Sequence, residues 1–280
     1  MRVFNLCNRY SIIATIFLLF IVFIGHTYYK YRDIWTPSLK RPLYTIKQND
    51  QDTIRIIMIG DSWAEYRIRM NCDSFLASKI IEKTNRFTLI RTNGRGGAKS
   101  KDVYQLMYEE TASLSDIRPK YCTEKLIRSG ANYCVVFAGI NDISAKLGTN
   151  YYCENMKLII QQLLSGGIRP VLLETPSLDL STAHWYSSPR LWIVPLLTTI
   201  LVRSDTCTIE SYNSAIYKEL KESNLLSSVI YIPCGNWNEL GHKDSRGLYD
   251  KDGMHLNSKG YRVLDSCIAS FIANDLKNRY

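Results

Sequence analysis

The sequence contains no C-x-x-C pair, no internal repeat and no low-complexity tract, and only four of its 280 residues are histidine. The missing C-x-x-C spacing argues against a structural zinc site and against thioredoxin-like redox chemistry. Beyond residue 50 no basic block interleaved with aromatics appears, which argues against nucleic-acid binding despite a net charge of +9. The scarcity of histidine leaves few candidates for a general base.

The basic excess is concentrated at the amino terminus. Residues 1–50 carry seven Lys or Arg against two Asp, so this segment supplies +5 of the net +9. Residues 10–25 form an apolar run preceded by Arg2 and Arg9, the layout of a signal peptide or a signal anchor. No A-x-A-like cleavage site follows, so we favour an uncleaved membrane anchor, formed by residues 1–25, over a cleaved signal peptide. The rest of the chain is then expected to be exported to the periplasm or cell surface.

The seven cysteines beyond this anchor are an odd number, so at least one stays unpaired if the chain is exported, unless it pairs with another chain. Cys134 and Cys267 lie in apolar patterns and are predicted to be buried thiols. The disulfide pattern and the oligomeric state cannot be predicted from these residues.

The chain beyond the anchor divides into a tether and one folded domain. Residues 26–52 have no helical or strand period and contain two prolines, which predicts a tether. Over residues 53–280 apolar strand segments alternate with amphipathic helical segments, which is typical of an α/β fold whose parallel sheet carries helices on both faces. The predicted strands are 53–60, 87–93, 133–139, 169–176 and 228–233, and the predicted helices lie near 72–84, 101–128, 151–165 and 208–224.

Two further segments complete the prediction. A last helix starts after a cap at Asn257 or Ser258 and presents Leu264, Cys267, Ile268, Phe271 and Ile272 on one face. Residues 177–206 interrupt the alternation with the apolar segment 191–202, which is too short to span a bilayer. This insert is interpreted either as a short helix packed on the core or as a segment that lines an acyl site or touches the membrane surface.

Gly60-Asp61-Ser62 directly follows a strand predicted to be buried on both faces. The carboxyl edge of a parallel sheet is where open α/β folds place their chemistry. The common esterase motif G-x-S-x-G is absent because Ala64 replaces the second glycine, so a base for Ser62 must come from elsewhere.

His255 is the histidine best placed to act on Ser62. It follows Asp252 by three residues around a glycine, so one loop can present an imidazole together with the carboxylate that orients it. The alternative interpretation is a plain surface turn before the last helix. Asp250 also precedes His255, but its spacing is less suitable.

Two more strand ends offer hydrogen-bond donors. Gly96 and Gly97 follow the second strand and permit a tight turn with free backbone N–H groups. Asn141 follows the third strand and offers a side-chain amide. Such donors stabilise the oxyanion of acyl transfer by about 3 to 4 kcal/mol each. Each residue could equally serve a loop or a helix cap.

The four segments "IGDSWAE", "NGRGGAKS", "FAGIND" and "DGMHLN" together resemble, in order, the conserved blocks of the SGNH or GDSL hydrolase family. The resemblance covers about residues 53–278. It implies a flavodoxin-like three-layer α/β/α sandwich with a five-stranded parallel sheet, and no metal or cofactor. It departs from the family at Lys99, where threonine or serine is common, and the adjacent Gly96 leaves the donor ambiguous by one residue.

The same resemblance implies a role for each site residue. Ser62 is then the nucleophile, His255 the general base and Asp252 its orienting partner. The oxyanion hole is formed by the backbone N–H groups of Ser62 and Gly97 and by the amide of Asn141.

These roles predict a serine esterase of the cell envelope that removes O-acetyl or other short acyl groups from carbohydrate. Its partners would be an acylated glycan or small ester and, through residues 10–25, the membrane, with no nucleic acid. Three alternatives stay open: an O-acyltransferase to glycan, a lipid ester hydrolase, and a non-catalytic glycan-binding module on the same scaffold.

Overall fold

The structure is a computed structural model that describes residues 2–31, 52–108, 123–176, 178, 208–238 and 247–279. Most of the predicted tether, nearly all of the 177–206 insert, and both His184 and His242 lie outside the described residues. The first helix, α1 (Arg2–Tyr31), includes the predicted anchor segment. Across the described ranges, no helix combines the length and the apolar character needed to cross a bilayer. The anchor therefore stays a prediction.

The predicted α/β fold with a five-stranded parallel sheet is confirmed. The strands are β1 (Thr53–Gly60), β2 (Phe87–Gly94), β3 (Tyr133–Phe137), β4 (Arg169–Leu173) and β5 (Ile230–Ile232). They lie in the order β2-β1-β3-β4-β5, and every neighbouring pair is parallel. β1 and β3 are buried almost throughout because their Ile, Met and Val side chains are covered on both faces of the sheet.

The helices form two packed groups. Helix α3 (Asp73–Thr84) packs on α9 (Ser258–Arg279), whereas α7 (Thr149–Ser165) packs on both α4 (Ser100–Leu106) and α8 (Ile209–Glu222). Two separate groups are what helices on both faces of a sheet produce. The remaining described helices are short: α2 (Ser62–Arg69), α5 (Thr123–Arg128) and α6 (Ile140–Ser144).

The strand order determines where a ligand can enter. The chain runs from β1 to β2 on one side and then returns to β3 on the other side of β1. Loops that leave β1 and β3 therefore diverge, and this switch point opens a crevice at the carboxyl ends of these two strands. Ser62 follows β1 and Asn141 follows β3, so both lie at this crevice.

Some details differ from the sequence predictions. Within the range predicted as a helix near 101–128, the described residues form α4 and α5, and residues 109–122 lie outside the described part of the chain. Helix α4 ends where Met107 N–H donates to the Tyr104 carbonyl and Tyr108 N–H to the Gln105 carbonyl, tightening the last turn. Cys134 is buried as predicted, whereas Cys267 is only partly buried on the side of α9. The short helices α2 and α6 were not predicted.

The cap of the last helix is now assigned. The side chain of Asn257 accepts hydrogen bonds from the backbone N–H groups of Lys259 (2.9 Å) and Gly260 (3.0 Å), so Asn257 caps the helix. Leu264, Ile268 and Ile272 are fully buried, while Cys267 and Phe271 lie at the edge of the same face. This helix begins directly after the loop that carries His255, so its packing determines where that loop lies.

Candidate active site

The end of β1 is built for close approach to β3. A Cβ atom at Gly60 would lie 2.0 Å from the Phe137 carbonyl oxygen, so a side chain at this position would force the strands apart. The next N–H, of Asp61, donates to that same carbonyl at 3.0 Å. Asp61 then caps α2 by accepting the Trp63 N–H at 2.9 Å. Ser62 consequently stands at the first position of α2, only 7% exposed.

The structure brings Ser62, His255 and Asp252 together although Ser62 and His255 are 193 residues apart in sequence. His255 Nε2 lies 2.8 Å from Ser62 Oγ, and His255 Nδ1 lies 2.5 Å from Asp252 Oδ2. A carboxylate can only accept, so Nδ1 carries the proton and donates it to Asp252. Nε2 is then the unprotonated nitrogen that accepts the Ser62 hydroxyl.

Asp252 is held by its own loop. Its Oδ1 accepts the backbone N–H groups of Met254 and His255, both at 2.9 Å. Partial burial by itself raises the pKa of Asp252, but the hydrogen bonds from the His255 ring and from these two N–H groups hold that pKa below its ordinary value. Asp250, the alternative partner, instead accepts the backbone N–H of Lys251. The carboxylate that contacts the His255 imidazole is therefore that of Asp252 and not that of Asp250.

The loop after β2 leaves one backbone donor available. Arg95 N–H donates to the Gly60 carbonyl, Gly96 N–H to the Glu65 carboxylate and Ala98 N–H to the Arg95 carbonyl. In the described part of the chain the N–H of Gly97 has no acceptor, and the N–H of Ser62 has none either. Gly97 adopts φ +74°, a left-handed conformation that favours glycine. This geometry favours Gly97 over Gly96 as the backbone donor to a substrate oxygen.

Asn141 lies beside these groups with its amide already engaged. Its Nδ2 donates to the Ala98 carbonyl at 2.9 Å and lies 3.5 Å from Asp61 Oδ2. The Ala98 bond ties the β3 loop to the β2 loop and orients the amide. The longer contact with Asp61 is the weaker one, so it is the hydrogen facing Asp61 that a substrate oxygen would have to attract.

Two buried carboxyl groups lie behind the site. The pKa of Asp61 is raised to about 7, chiefly because burial penalises the charged form; the Trp63 N–H opposes this rise and the charge of Asp142 contributes to it. Burial also raises the pKa of Asp142 to about 6, against the lowering effect of the Ser100 hydroxyl and N–H. Both Ser100 groups donate to Asp142, so this carboxyl group fixes the start of α4.

The raised pKa of Asp61 predicts a pH-dependent stability. Its folded-state pKa of about 7 lies above the ordinary 3.8, so the folded state binds the extra proton and loses stability as pH rises. Between about pH 5 and pH 7 this group should lower the free energy of unfolding by about 2 kcal/mol. Asp61→Asn keeps the acceptor for Trp63 N–H but cannot titrate, so its urea-denaturation stability should fall less over this range. Parallel pH profiles would contradict the assignment, and Glu222→Gln on the exposed face of α8 is the control.

A small pocket opens beside Ser62. Its empty space is about 320 Å³ counted to the open mouth. Asp61 and Trp63, which flank Ser62, form one wall, and the strand ends of β3 and β4 form the others. The lining is mainly apolar: Val136, Phe137, Ala138, Ile140, Leu173 and Pro176, together with Glu174 and Thr175. Among the described residues, no group of three or more His, Cys, Asp or Glu side chains is arranged to hold a metal ion.

Sequence reasoning missed two residues of this site. Glu65 accepts the Gly96 N–H at 2.8 Å, and the ring of Tyr66 stacks on the imidazole of His255 at 4.2 Å between centroids. The available signal was their spacing: on a helix, residues three and four positions after Ser62 lie on its side of the helix. That signal required α2 to be recognised as a helix.

Comparison with known proteins gives a family and a fold. The GDSL-like Lipase/Acylhydrolase family matches residues 58–263, a segment that includes Ser62, Asp252 and His255. A GDSL-like lipase from Bacteroides thetaiotaomicron is similar in structure, with a TM-score of 0.51 and 15% sequence identity over 89% of this chain and 98% of that chain. A lipase/acylhydrolase from Enterococcus faecalis has a TM-score of 0.52 and 14% identity over 79% of this chain and 96% of that chain. No curated protein matches the sequence.

Proposed function

The chain belongs to the GDSL-like lipase/acylhydrolase family, and we propose that it uses Ser62, His255 and Asp252 to remove O-acetyl or other short acyl groups from carbohydrate at the cell envelope. As a member of this family it is a hydrolase that acts on ester bonds. The observation that carries the assignment of residues is the hydrogen-bonded series Ser62 Oγ, His255 Nε2 at 2.8 Å and Asp252 Oδ2 at 2.5 Å from His255 Nδ1.

Acylation begins at Ser62. Its oxygen attacks the ester carbonyl carbon as its proton passes to His255 Nε2, and Asp252 stabilises the imidazolium that forms. The low pKa of Asp252 keeps its carboxylate ionised for this purpose. The carbon–oxygen bond to the sugar then breaks, and the sugar hydroxyl leaves with the proton from His255.

Deacylation repeats the sequence with water. Water gives a proton to His255 and attacks the acyl carbon, the bond to Ser62 Oγ breaks as His255 returns that proton to Oγ, and the carboxylic acid leaves. In both steps negative charge develops on the carbonyl oxygen, and the N–H groups of Ser62 and Gly97 stabilise it by donating hydrogen bonds to that oxygen. Asn141 is the third donor once its amide hydrogen turns from Asp61 to the substrate.

The dimensions of the pocket support a short acyl group. Its volume of about 320 Å³ includes the open mouth, and its apolar walls close on the ends of β3 and β4. The enclosed part of this pocket is only about 30 Å³, far below the about 300 to 1,000 Å³ of pockets that enclose drug-sized ligands. So small a space favours an acyl group of acetyl size, whereas a long chain would have to extend out of the mouth.

The proposal of an envelope location is supported by the surface of α1. Its large apolar side chains between residues 10 and 22 are 50 to 67% exposed, including Ile13, Phe17 and Leu19. A surface this apolar is favourable against lipid and costly against water. Fractionation of cells that express the full chain or residues 27–280 tests the location: the full chain should sediment with membranes, and the shortened chain should not.

Labelling and an acyl-length series test the chemistry. A fluorophosphonate probe should modify Ser62, because the Ser62 oxygen displaces fluoride from phosphorus as His255 takes its proton. Acetyl esters should be hydrolysed at least about tenfold faster, in kcat/KM, than octanoyl esters of the same alcohol, since surplus methylenes lack space. If Ser62 stays unlabelled in folded protein, it is not the nucleophile. A preference for octanoyl esters would contradict the short acyl group, and an absence of acetate release from O-acetylated polysaccharide would contradict the carbohydrate substrate.

A further inference from the structure

Three residues on the same side of α2 as Ser62 connect the Gly96–Gly97 turn with the imidazole of His255. We propose that Glu65, Tyr66 and Arg69 form a positioning unit, here called the α2 brace, that holds both the Gly96–Gly97 turn and the ring of His255 in register with Ser62. The inference rests on the proposed function and concerns how the same helix that presents the nucleophile also orients its partners. None of the three side chains takes part in the chemical steps.

Glu65 determines which glycine N–H faces the substrate. One of its carboxylate oxygens accepts the Gly96 N–H at 2.8 Å, and the other pairs with the guanidinium of Arg69. Because the Gly96 N–H is bound to Glu65, the next peptide is rotated so that the Gly97 N–H is left for an oxyanion. The carboxylate side chain is only 16% exposed, so water competes little for this bond.

Tyr66 controls the one motion of His255 that its hydrogen bonds leave free. Ser62 and Asp252 hold the two ring nitrogens, so the imidazole can still tilt about the line that joins them. The Tyr66 ring lies parallel to the imidazole, with 4.2 Å between centroids and 7° between planes, and it blocks that tilt. When His255 gains the proton of Ser62, the electron-rich face of Tyr66 also attracts the new cation.

Arg69 joins the two contacts. Its guanidinium pairs with Glu65 and lies 4.9 Å from the centre of the Tyr66 ring. The Arg69 side chain is 55% exposed, so it lies at the surface and does not shield either contact completely from solvent. A displacement of Glu65 is therefore transmitted to Tyr66 through Arg69, and the glycine turn and the imidazole are coupled through one turn of helix.

The experiment compares disruptive with conservative substitutions in the full chain, using p-nitrophenyl acetate. Glu65→Ala and Tyr66→Leu should each lower kcat by about 10- to 100-fold with KM changed less than about threefold, because they misplace reacting groups without removing substrate contacts. Glu65→Gln keeps an acceptor and Tyr66→Phe keeps the ring, so both should stay within about threefold of the wild-type kcat. Glu82→Ala, which breaks a surface pair on α3, and Tyr217→Leu on α8 are the matched controls.

Each outcome decides the inference. The inference would be overturned if Glu65→Ala and Tyr66→Leu had the same kcat as the wild type. It would also be overturned if folded Glu65→Gln or Tyr66→Phe had a kcat as low as that of the disruptive variants. If Tyr66→Leu does not fold, Arg69→Met changes only an exposed side chain and should still lower kcat; an unchanged kcat would overturn the coupling. Wild-type protein that neither hydrolyses esters nor reacts with the fluorophosphonate would refute the proposed function instead.

Discussion

Replacing Ser62 with Ala is expected to lower kcat for ester hydrolysis by roughly 10⁴-fold or more, because it removes the oxygen that we propose forms the acyl-enzyme. The substitution removes one oxygen atom at the first position of α2. It leaves the Asp61 cap, the Gly97 donor and the Asp252–His255 pair in place. The loss should therefore appear in kcat, with substrate binding nearly unchanged. Steady-state kinetics on p-nitrophenyl acetate, with purified protein of unchanged melting temperature, measures it.

The control for this substitution is a serine of similar helical setting outside the site. Ser266 lies on the exposed side of α9 and donates to the Arg262 carbonyl, so Ser266→Ala removes a hydroxyl of the same kind. Its kcat should equal that of the wild type. Undiminished turnover by Ser62→Ala would assign hydrolysis to a different nucleophile, and the proposed mechanism would then be wrong.

The sheet could be predicted from the sequence because its signal is local. Each strand is a short apolar run bounded by turn residues, and β1 and β3 are so deeply buried that nearly every residue is apolar. β1 begins and ends where the pattern predicts, at Thr53 and Gly60. β5 is shorter than predicted because only Ile230–Ile232 pair with β4, while the flanking residues form turns.

The residues of the site could be proposed from the sequence because each follows a strand and carries the right chemistry. Their distances could not be predicted, because they depend on loops that only tertiary packing fixes. Helix α2 shows the limit most clearly. Its sequence, SWAEYRIR, has no apolar stripe, so nothing in the pattern indicates a helix. Glu65 and Tyr66 were missed for that reason.

Long-range ion pairs are a second feature that sequence patterns do not reveal. Arg67 on α2 and Asp265 on α9 are 198 residues apart, yet Arg67 Nη1 lies 2.5 Å from Asp265 Oδ1, and both side chains are fully buried. The hydroxyl of Tyr261 on α9 donates to the Trp63 carbonyl on α2 at 2.8 Å. These contacts join the helix that carries Ser62 to the helix that follows the His255 loop.

Replacing Asp265 with Ala is accordingly expected to lower the free energy of unfolding by about 3 to 5 kcal/mol, because it leaves the guanidinium of Arg67 buried without its partner. Asp73 remains as a second, weaker partner: its carboxylate lies 3.6 Å from Arg67 Nη2, is partly exposed and accepts the Thr92 hydroxyl, so it offsets only part of the loss. Urea denaturation of the wild type and the variant measures the difference. The exposed pair Lys218–Glu222 provides the contrast, and Glu222→Ala should change stability by less than about 0.5 kcal/mol.

The double variant Arg67→Met with Asp265→Leu separates the cost of an unpaired charge from the value of the pair. Burying two ions is itself expensive, so removing both should destabilise the protein less than removing Asp265 alone. The double variant should therefore be more stable than Asp265→Ala, even though it has lost the same hydrogen bond. If the double variant is also less stable than the wild type, the attraction between the ions exceeds the cost of burying them. In that case the ion pair, and not merely apolar packing, holds α2 against α9 and keeps Ser62 within reach of His255.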